Sequence, residues 1–342
     1  MIVTGFLGSG KTTLLSRSLS VPSMANTAVL VNEFGEVGLD HHLLRRADEK
    51  TLLLEHGCVC CTTREDLVGA LLDLLDEEDK RRIPPLDRVV LETTGLADPA
   101  PILFTVFSHP VLQHHYFVDR VISTVDAVNG ELHLDRNPES TRQIAAADVI
   151  VLTKSDIAKI DAIRALRARL RSINPSAQVI EAPLGEVNTE GLFSPAANWS
   201  PTSSHSGPDL DANGPAPVSR NLAAEDTHHV SHTHSTSLTF DGSVDWTAFG
   251  IWFSMLLHAR GEDVLRVKGL VDVGEMGPVL LNGVQHVVHP PEHLEEWPDE
   301  DRRSRIVFIM RGVRSEELLA SLKAFQGILG AGPRLLEANA PV

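Results

Sequence analysis

The chain has 342 residues, 42% of them hydrophobic, which fits two globular domains and excludes whole-chain disorder or a fibrous repeat. Lys and Arg number 30 against 46 Asp and Glu, giving a formal charge of −16 and a pI near 5.4. Such an acidic surface repels phosphate backbones, so no nucleic-acid partner is expected, although a local pocket can still grip a nucleotide.

No stretch approaches the roughly 20 apolar residues of a membrane span. Met1–Gly5 has neither the basic nor the apolar region of a signal peptide. The 3 cysteines all fall within Cys58–Cys61, whereas a secreted disulfide scaffold would spread them along the chain. The expectation is a soluble cytoplasmic protein without a membrane partner.

In chain order, a phosphate cradle comes first. Gly5-Phe6-Leu7-Gly8-Ser9-Gly10-Lys11-Thr12 fits G-x-x-x-x-G-K-[ST]. Its glycines, with Ser9, let backbone N–H groups turn inward around a β-phosphate, and Lys11 reaches the β/γ oxygens. Thr12 offers a hydroxyl to Mg²⁺, and the helix from Thr13 points its positive end at the anion. Only Met1–Thr4 precede the loop, so either the strand is clipped or the natural start lies upstream.

Short apolar runs then alternate with helical patterns. Thr27–Val31, Thr51–Leu54, Arg88–Leu91, Arg120–Val125, Asp148–Leu152 and Gln178–Glu181 read as strands, with helices over Lys11–Leu19, Arg64–Leu75 and Ile160–Ser172. Strands apolar on both faces, alternating with helices, predict an α/β domain with a mostly parallel sheet over residues 1–192. Between the second strand and its helix lies Gly57-Cys58-Val59-Cys60-Cys61. Thiolates near a helix N-terminus have lowered pKa and bind metals readily. The C-x-C-C spacing is tight for three sulfurs on one ion, so two thiolates with a carboxylate or imidazole from elsewhere is the expected arrangement. Redox chemistry and simple packing are the alternatives.

Val89-Val90-Leu91 runs into Glu92-Thr93-Thr94-Gly95. An acid there can hold Mg²⁺ through water or orient an attacking water, and Gly95 lets a backbone N–H approach a γ-phosphate. The strand ending at Leu152 continues as Thr153-Lys154-Ser155-Asp156. The Asp156 carboxylate accepts only, which suits guanine's N1–H and amine and not adenine's N1, while the stem of Lys154 can lie along the base. A helix N-cap by Ser155 or Asp156 is the bland alternative.

Residues 193–236 are rich in Pro, Ser, Gly, Asn, Asp and His and read as a flexible linker. It carries His228, His229, His232 and His234, either a loose metal-collecting arm or a solvated tract. His109, His114, His115, His286 and His289 read as isolated surface histidines. Pattern resumes at Ser237, with strands over Ser237–Phe240, Leu265–Val273, Gln285–His289 and Arg305–Met310. Helices are expected over Trp246–His258 and Ser315–Phe325. That is a small α+β domain over 237–330, expected to be a ferredoxin-like sandwich.

Together these residues resemble the CobW-type metal-chaperone GTPases of the SIMIBI class of P-loop proteins. Gly5–Leu15 is similar to the family's phosphate loop, Asn32–Gly38 to its first switch, Gly57–Cys61 to its hallmark cysteine loop and Glu92–Pro99 to its second switch. Thr153–Asp156 stands where the family reads guanine, with Thr153 in place of the usual Asn. The second domain resembles the family's C-terminal domain, including a G-V-Q stretch at Gly283–Gln285. The resemblance implies GTP hydrolysis coupled to delivery of a divalent metal to a client metalloprotein, with zinc expected and Co²⁺ or Ni²⁺ as alternatives. Lys11, Thr12, Glu33 and Glu92 would serve phosphate and Mg²⁺. Cys58, Cys60 and Cys61 would hold the cargo, Cys60 foremost, with Glu36 able to complete the shell. A homo-oligomer is allowed but not specified. The rivals are a P-loop small-molecule kinase, which would leave the guanine motif and cysteine loop idle, and a metal-buffering or interaction protein with weak nucleotide binding.

Overall fold

The computed structural model describes residues 1–31, 52–53, 64–185, 192–193 and 233–336. The first unit is an α/β sandwich around a seven-stranded sheet. Its strands are β1 (Ile2–Gly5), β2 (Thr27–Val31), β3 (Leu52–Leu53), β4 (Arg88–Glu92), β5 (Val121–Asp126), β6 (Val149–Thr153) and β7 (Gln178–Ala182). Their order is β3-β2-β4-β1-β5-β6-β7, and every described pairing is parallel. The helices are α1 (Lys11–Ser18), α2 (Arg64–Asp79), α3 (Ala100–Ser108), α4 (Leu112–His115), α5 (Gly130–Arg136), α6 (Pro138–Ala146) and α7 (Ile160–Ile173).

The strands are apolar on both faces because both faces are covered. Ile2, Ala28, Leu30 and Leu91 join Leu67, Leu71 and Leu103 in one core. Their neighbours Val3, Val29 and Val90 pack into another with Leu14 and Leu15. This period-two division is what a helix-covered parallel sheet requires. On α7, Ile163, Leu166, Leu170 and Ile173 form one buried stripe at helical spacing. No described helix is long and apolar enough to cross a membrane.

The second unit contains β8 (Thr233–Asp241), α8 (Trp246–Arg260), β9 (Val264–Val271), β10 (Val279–Val284), β11 (Val287–Val288), β12 (Glu292–His293), β13 (Arg305–Arg311), α9 (Ser315–Ala324), α10 (Gln326–Leu329) and β14 (Gly332–Leu335). Its main sheet order is β11-β10-β9-β13-β8-β14, all antiparallel, with β12 beside β10. Without the β10–β12 excursion, β14-β8-β13-β9 is the 4-1-3-2 order of a β-α-β-β-α-β sandwich, as expected for a ferredoxin-like unit. Phe249, Trp252 and Phe253 of α8 pack on Phe240 and Phe308 of the sheet, and Asp245 caps that helix by accepting from Ala248 N–H at 2.8 Å.

Three boundaries differ from the sequence reading. The second unit opens at Thr233, not Ser237, because β8 pairs with β13 from Thr233↔Arg311 onward. His234 therefore lies in a strand and not in the linker. The unit also runs past residue 330, since β14 pairs with β8 through Leu335. At the other boundary, Phe193 is buried in the first unit's core, and its carbonyl accepts from Arg88 at 2.6 Å.

The two units share a buried contact. Val284 and Val287 enter the core containing Leu103 and Val106 of α3, while Leu265 and Ile309 close on Ala145 of α6. Asp148, which leads into β6, accepts from Arg266 and, at 2.9 Å, from Lys268, while its other oxygen accepts from Val121 N–H at 2.9 Å. Burial alone would raise the Asp148 pKa, but the two cations outweigh it and hold the carboxyl well below the usual range. Burial lowers the Lys268 pKa to about 8, against the opposing pull of Asp148. His289 is no isolated surface residue. Its ring lies 4.4 Å from that of Phe107, and burial with the nearby Arg266 and Lys268 charges pushes its pKa down to about 4.

Candidate functional site: a phosphate loop braced by three strand ends

β1 lies at the centre of the sheet, between β4 and β5, and delivers the loop Gly5–Thr12 at the carboxyl edge where parallel sheets bind ligands. Gly5 has φ +141°, and a Cβ there would collide with Thr124 on β5. The loop can pass only without a side chain at that point. Gly10, in the left-handed region, sets the turn into α1.

Each neighbouring strand end braces the loop. From β5, Thr124 shares a hydrogen bond of 2.6 Å with the Ser9 hydroxyl. From β6, Thr153 donates to Ser9 O at 2.6 Å, and Lys154 donates to Gly8 O at 2.9 Å. From β4, Glu92 accepts from the Thr12 hydroxyl at 2.6 Å, and Thr93 donates to Thr4 Oγ1 at 2.9 Å. Lys11 donates to Gly5 O at 2.9 Å and Phe6 O at 3.3 Å, so its ammonium crosses the hollow of the loop. The sequence-predicted Gly5, Gly8, Ser9, Gly10, Lys11, Thr12, Thr13, Glu92, Thr153 and Lys154 thus converge on one edge. Thr12 and Glu92 present hard oxygen donors 2.6 Å apart, with Glu92 buried, a donor set that fits Mg²⁺.

Gly95 stands beside the loop. A Cβ on it would lie 2.6 Å from the Leu7 side chain and 2.7 Å from Leu7 N, which keeps this position to glycine. Asp156 is exposed, and one carboxylate oxygen accepts from Leu184 N–H at 2.9 Å. Lys154 (φ 58°) and Leu184 (φ 54°), which flank Asp156 in sequence and by hydrogen bond, both adopt the strained left-handed backbone.

Two residues of the site escaped the sequence reading. Asp126 ends β5, one residue past the predicted strand. It accepts from Val128 N–H at 2.8 Å and from Lys154 at 2.7 Å. Burial opposes its charge, but these bonds and Asn129 win, and its pKa is lowered. An acid closing an apolar strand was the signal available. Gln143 of α6 is buried and donates to Gly95 O at 3.1 Å and Ala97 O at 3.0 Å. A lone glutamine in a helix carries no sequence signal for that role.

Glu33, Glu36, Cys58, Cys60 and Cys61, with His228, His229 and His232, lie outside the described residues. Their flanks are placed: β3 pairs with β2 in parallel at the sheet edge, and α2 begins at Arg64. Among the described residues, no group of three or more His, Cys, Asp or Glu is arranged to hold a metal ion.

Residues 1–181 match the family described as CobW/HypB/UreG, nucleotide-binding domain, and residues 233–326 match the cobalamin synthesis protein cobW C-terminal domain. Among curated proteins, the chain is 36% identical over 329 residues to the zinc chaperone YjiA of Escherichia coli, covering 96% of this chain and 97% of that protein. It is 29% identical over 355 residues to the zinc chaperone CobW of Pseudomonas aeruginosa, covering 90% and 86%. Among solved structures, the Zn(II)-bound YjiA GTPase from E. coli superposes with a TM-score of 0.66 at 30% identity, covering 95% of this chain and 97% of that one.

Proposed function

The chain belongs to the CobW/HypB/UreG nucleotide-binding family and carries its CobW C-terminal domain, and from that membership we propose that it is a GTP-hydrolysing metallochaperone. It would bind Zn²⁺ at the Cys58–Cys61 loop and pass the ion to a client metalloprotein. The observation that carries this reading is the phosphate loop, with Thr12 bonded to Glu92 and the Thr153–Lys154 strand end bonded to the loop's backbone. The strand end that leads into Asp156 is thereby tied to the phosphate loop.

GTP phosphates offer Lys11 stronger, charge-assisted partners than the carbonyls of Gly5 and Phe6. Thr12 and Glu92 would hold Mg²⁺, which when bound neutralises phosphate charge. Glu92 orients the water whose oxygen attacks the γ-phosphorus as the bond to the GDP oxygen breaks, giving GDP and inorganic phosphate. Asp156 turns its acceptors to guanine. Glu33, from the first-switch segment Asn32–Gly38, serves the same phosphate edge. Zinc is the proposed cargo because borderline-soft Zn²⁺ suits thiolates and two similar proteins are named zinc chaperones. Cys60 with Cys58 or Cys61, and Glu36 from the first-switch segment, would form the cargo site, coupling metal geometry to nucleotide state.

The test is a pair of Zn²⁺ titrations, on GTP-loaded and GDP-loaded protein. The two affinities should differ, and linkage requires Zn²⁺ to change GTP affinity by the same factor. Zn²⁺ binding should release protons as thiols ionise. Cys60→Ala should lose tight Zn²⁺ binding and retain nucleotide affinity. Equal affinities in the two nucleotide states would remove the switch and leave a GTPase that merely binds metal.

A further inference from the structure

Gly283-Val284 closes β10, and Gln285 and His286 form a two-residue turn, since Val284 pairs directly with Val287 of β11. Gln285 has φ 52°. Glycine is the usual occupant of such a turn's left-handed position, because any Cβ there is strained. The glutamine has a partner that explains its place. Its Nε2 donates to Asp98 Oδ2 at 2.9 Å, across 187 positions of sequence and from one unit to the other.

Asp98 ends the segment that begins at Glu92. Its other oxygen accepts from Ala100 N–H at 3.0 Å, at the start of α3, and Arg142 approaches Oδ2 at 4.0 Å. The same segment is held from behind by Gln143, through the carbonyls of Gly95 and Ala97. Gly95 in turn rests against Leu7 of the phosphate loop. Two glutamines, one from each unit, thus fix the four residues Gly95–Asp98 against the loop. The Gln285 hairpin also holds the rest of α3: Val284 and Val287 share a core with Leu103 and Val106, and His289 packs on Phe107.

We propose that Gln285 is a positioning residue for hydrolysis, through which the second unit sets the register of Gly95–Asp98 and so governs turnover at the phosphate loop. Gln285 touches no reacting group and acts through Asp98. The proposal rests on the GTP-hydrolysis reading above. Its content is that the C-terminal unit is a built-in regulator: whatever displaces the β10–β11 hairpin, a client protein included, changes the hydrolysis rate.

The test is a charge-swap cycle in the full chain. Gln285→Glu sets a carboxylate against Asp98 and should lower kcat at saturating GTP at least threefold. KM for GTP and the affinity for GDP should stay within twofold, because the phosphate-binding groups are untouched. Adding Asp98→Asn restores a donor–acceptor pair with its polarity reversed and should recover at least half of the lost kcat. Hydrogen exchange over residues 92–100 should rise in Gln285→Glu and fall back in the double variant. A wild-type kcat in Gln285→Glu, or a loss that Asp98→Asn does not recover, overturns the proposal while GTP hydrolysis stands. A wild-type chain that does not turn over GTP overturns the reading beneath it, and the exchange pattern then shows whether the contact alone survives.

Discussion

Strand β6 is flanked by two aspartates, one before its start and one beyond its end, and the two have opposite circumstances. Asp148, preceding the strand, has its carboxylate consumed by Arg266, Lys268 and the Val121 amide. Asp156, three residues past the strand, is exposed and engages only the Leu184 amide among its described contacts. One carboxylate is satisfied within the fold and fastens the second unit. The other keeps acceptor capacity for a ligand. What separates the two acids is therefore how many of their lone pairs the fold has taken, not their position at a strand end.

The largest effect expected from breaking this contrast is at Asp148. Asp148→Asn leaves two buried cations facing a neutral amide, and removing one partner of a buried charge cluster costs about 3–5 kcal/mol. Urea unfolding should show that loss. Replacing Asp148, Arg266 and Lys268 together by apolar residues of similar volume should recover most of it, because the desolvation penalty disappears with the charges. A single variant within about 0.5 kcal/mol of wild type would make the cluster energetically idle.

Asp156→Asn should show the reverse signature. One acceptor is lost and a donor is turned towards guanine's donors, costing about 2–3 kcal/mol of GTP binding, or roughly 30- to 150-fold in affinity. The side chain is exposed and Asn can still accept from Leu184, so stability should stay within about 0.5 kcal/mol. Fluorescent-nucleotide titration against GTP and ATP is the measurement. Equal affinity of the unmodified protein for the two nucleotides would deny Asp156 its role.

The same contrast explains what was legible in the sequence. Lys11, Thr12, Glu92 and Thr153–Asp156 lie in short motifs at the ends of apolar strands, and the structure gathers Lys11, Thr12, Glu92, Thr153 and Lys154 into one hydrogen-bonded group. Asp148, Gln143 and Gln285 act across 120, 48 and 187 positions, and no local pattern announces a partner so far away. The parallel sheet was readable because its strands are apolar on both faces. The start of β8 was not, since Thr233-His234-Ser235 is polar and only half-buried, its strand character coming from pairing with β13. β14 was hidden by Pro333, which a strand tolerates only at a sheet edge, where β14 lies.

The smallest expected effect is a pH dependence that separates the anchor's parts. His289 has a folded pKa near 4, lowered by burial and by the Arg266 and Lys268 charges against the pull of Asp148, whereas an unfolded histidine titrates near 6.5. Between those values the unfolded chain binds more protons than the folded one, so acidification drains stability there. Above about pH 6.5 the ring is neutral in both states and contributes no slope. Below about pH 4 it is protonated in both and the loss is complete. Asp148 acts in a different window. Its depressed pKa contributes stability that is present above the ordinary carboxylate range and lost only as pH falls through the folded value. His289→Gln removes the first window and leaves the second. Between pH 7.5 and 4.5 the wild-type chain should therefore lose about 2 kcal/mol more unfolding free energy than the variant, with the two curves running parallel below pH 4. Curves that superpose from pH 7.5 downward would mean that the ring is solvated, and that Asp148 fastens the second unit without a neutral histidine beside its cations.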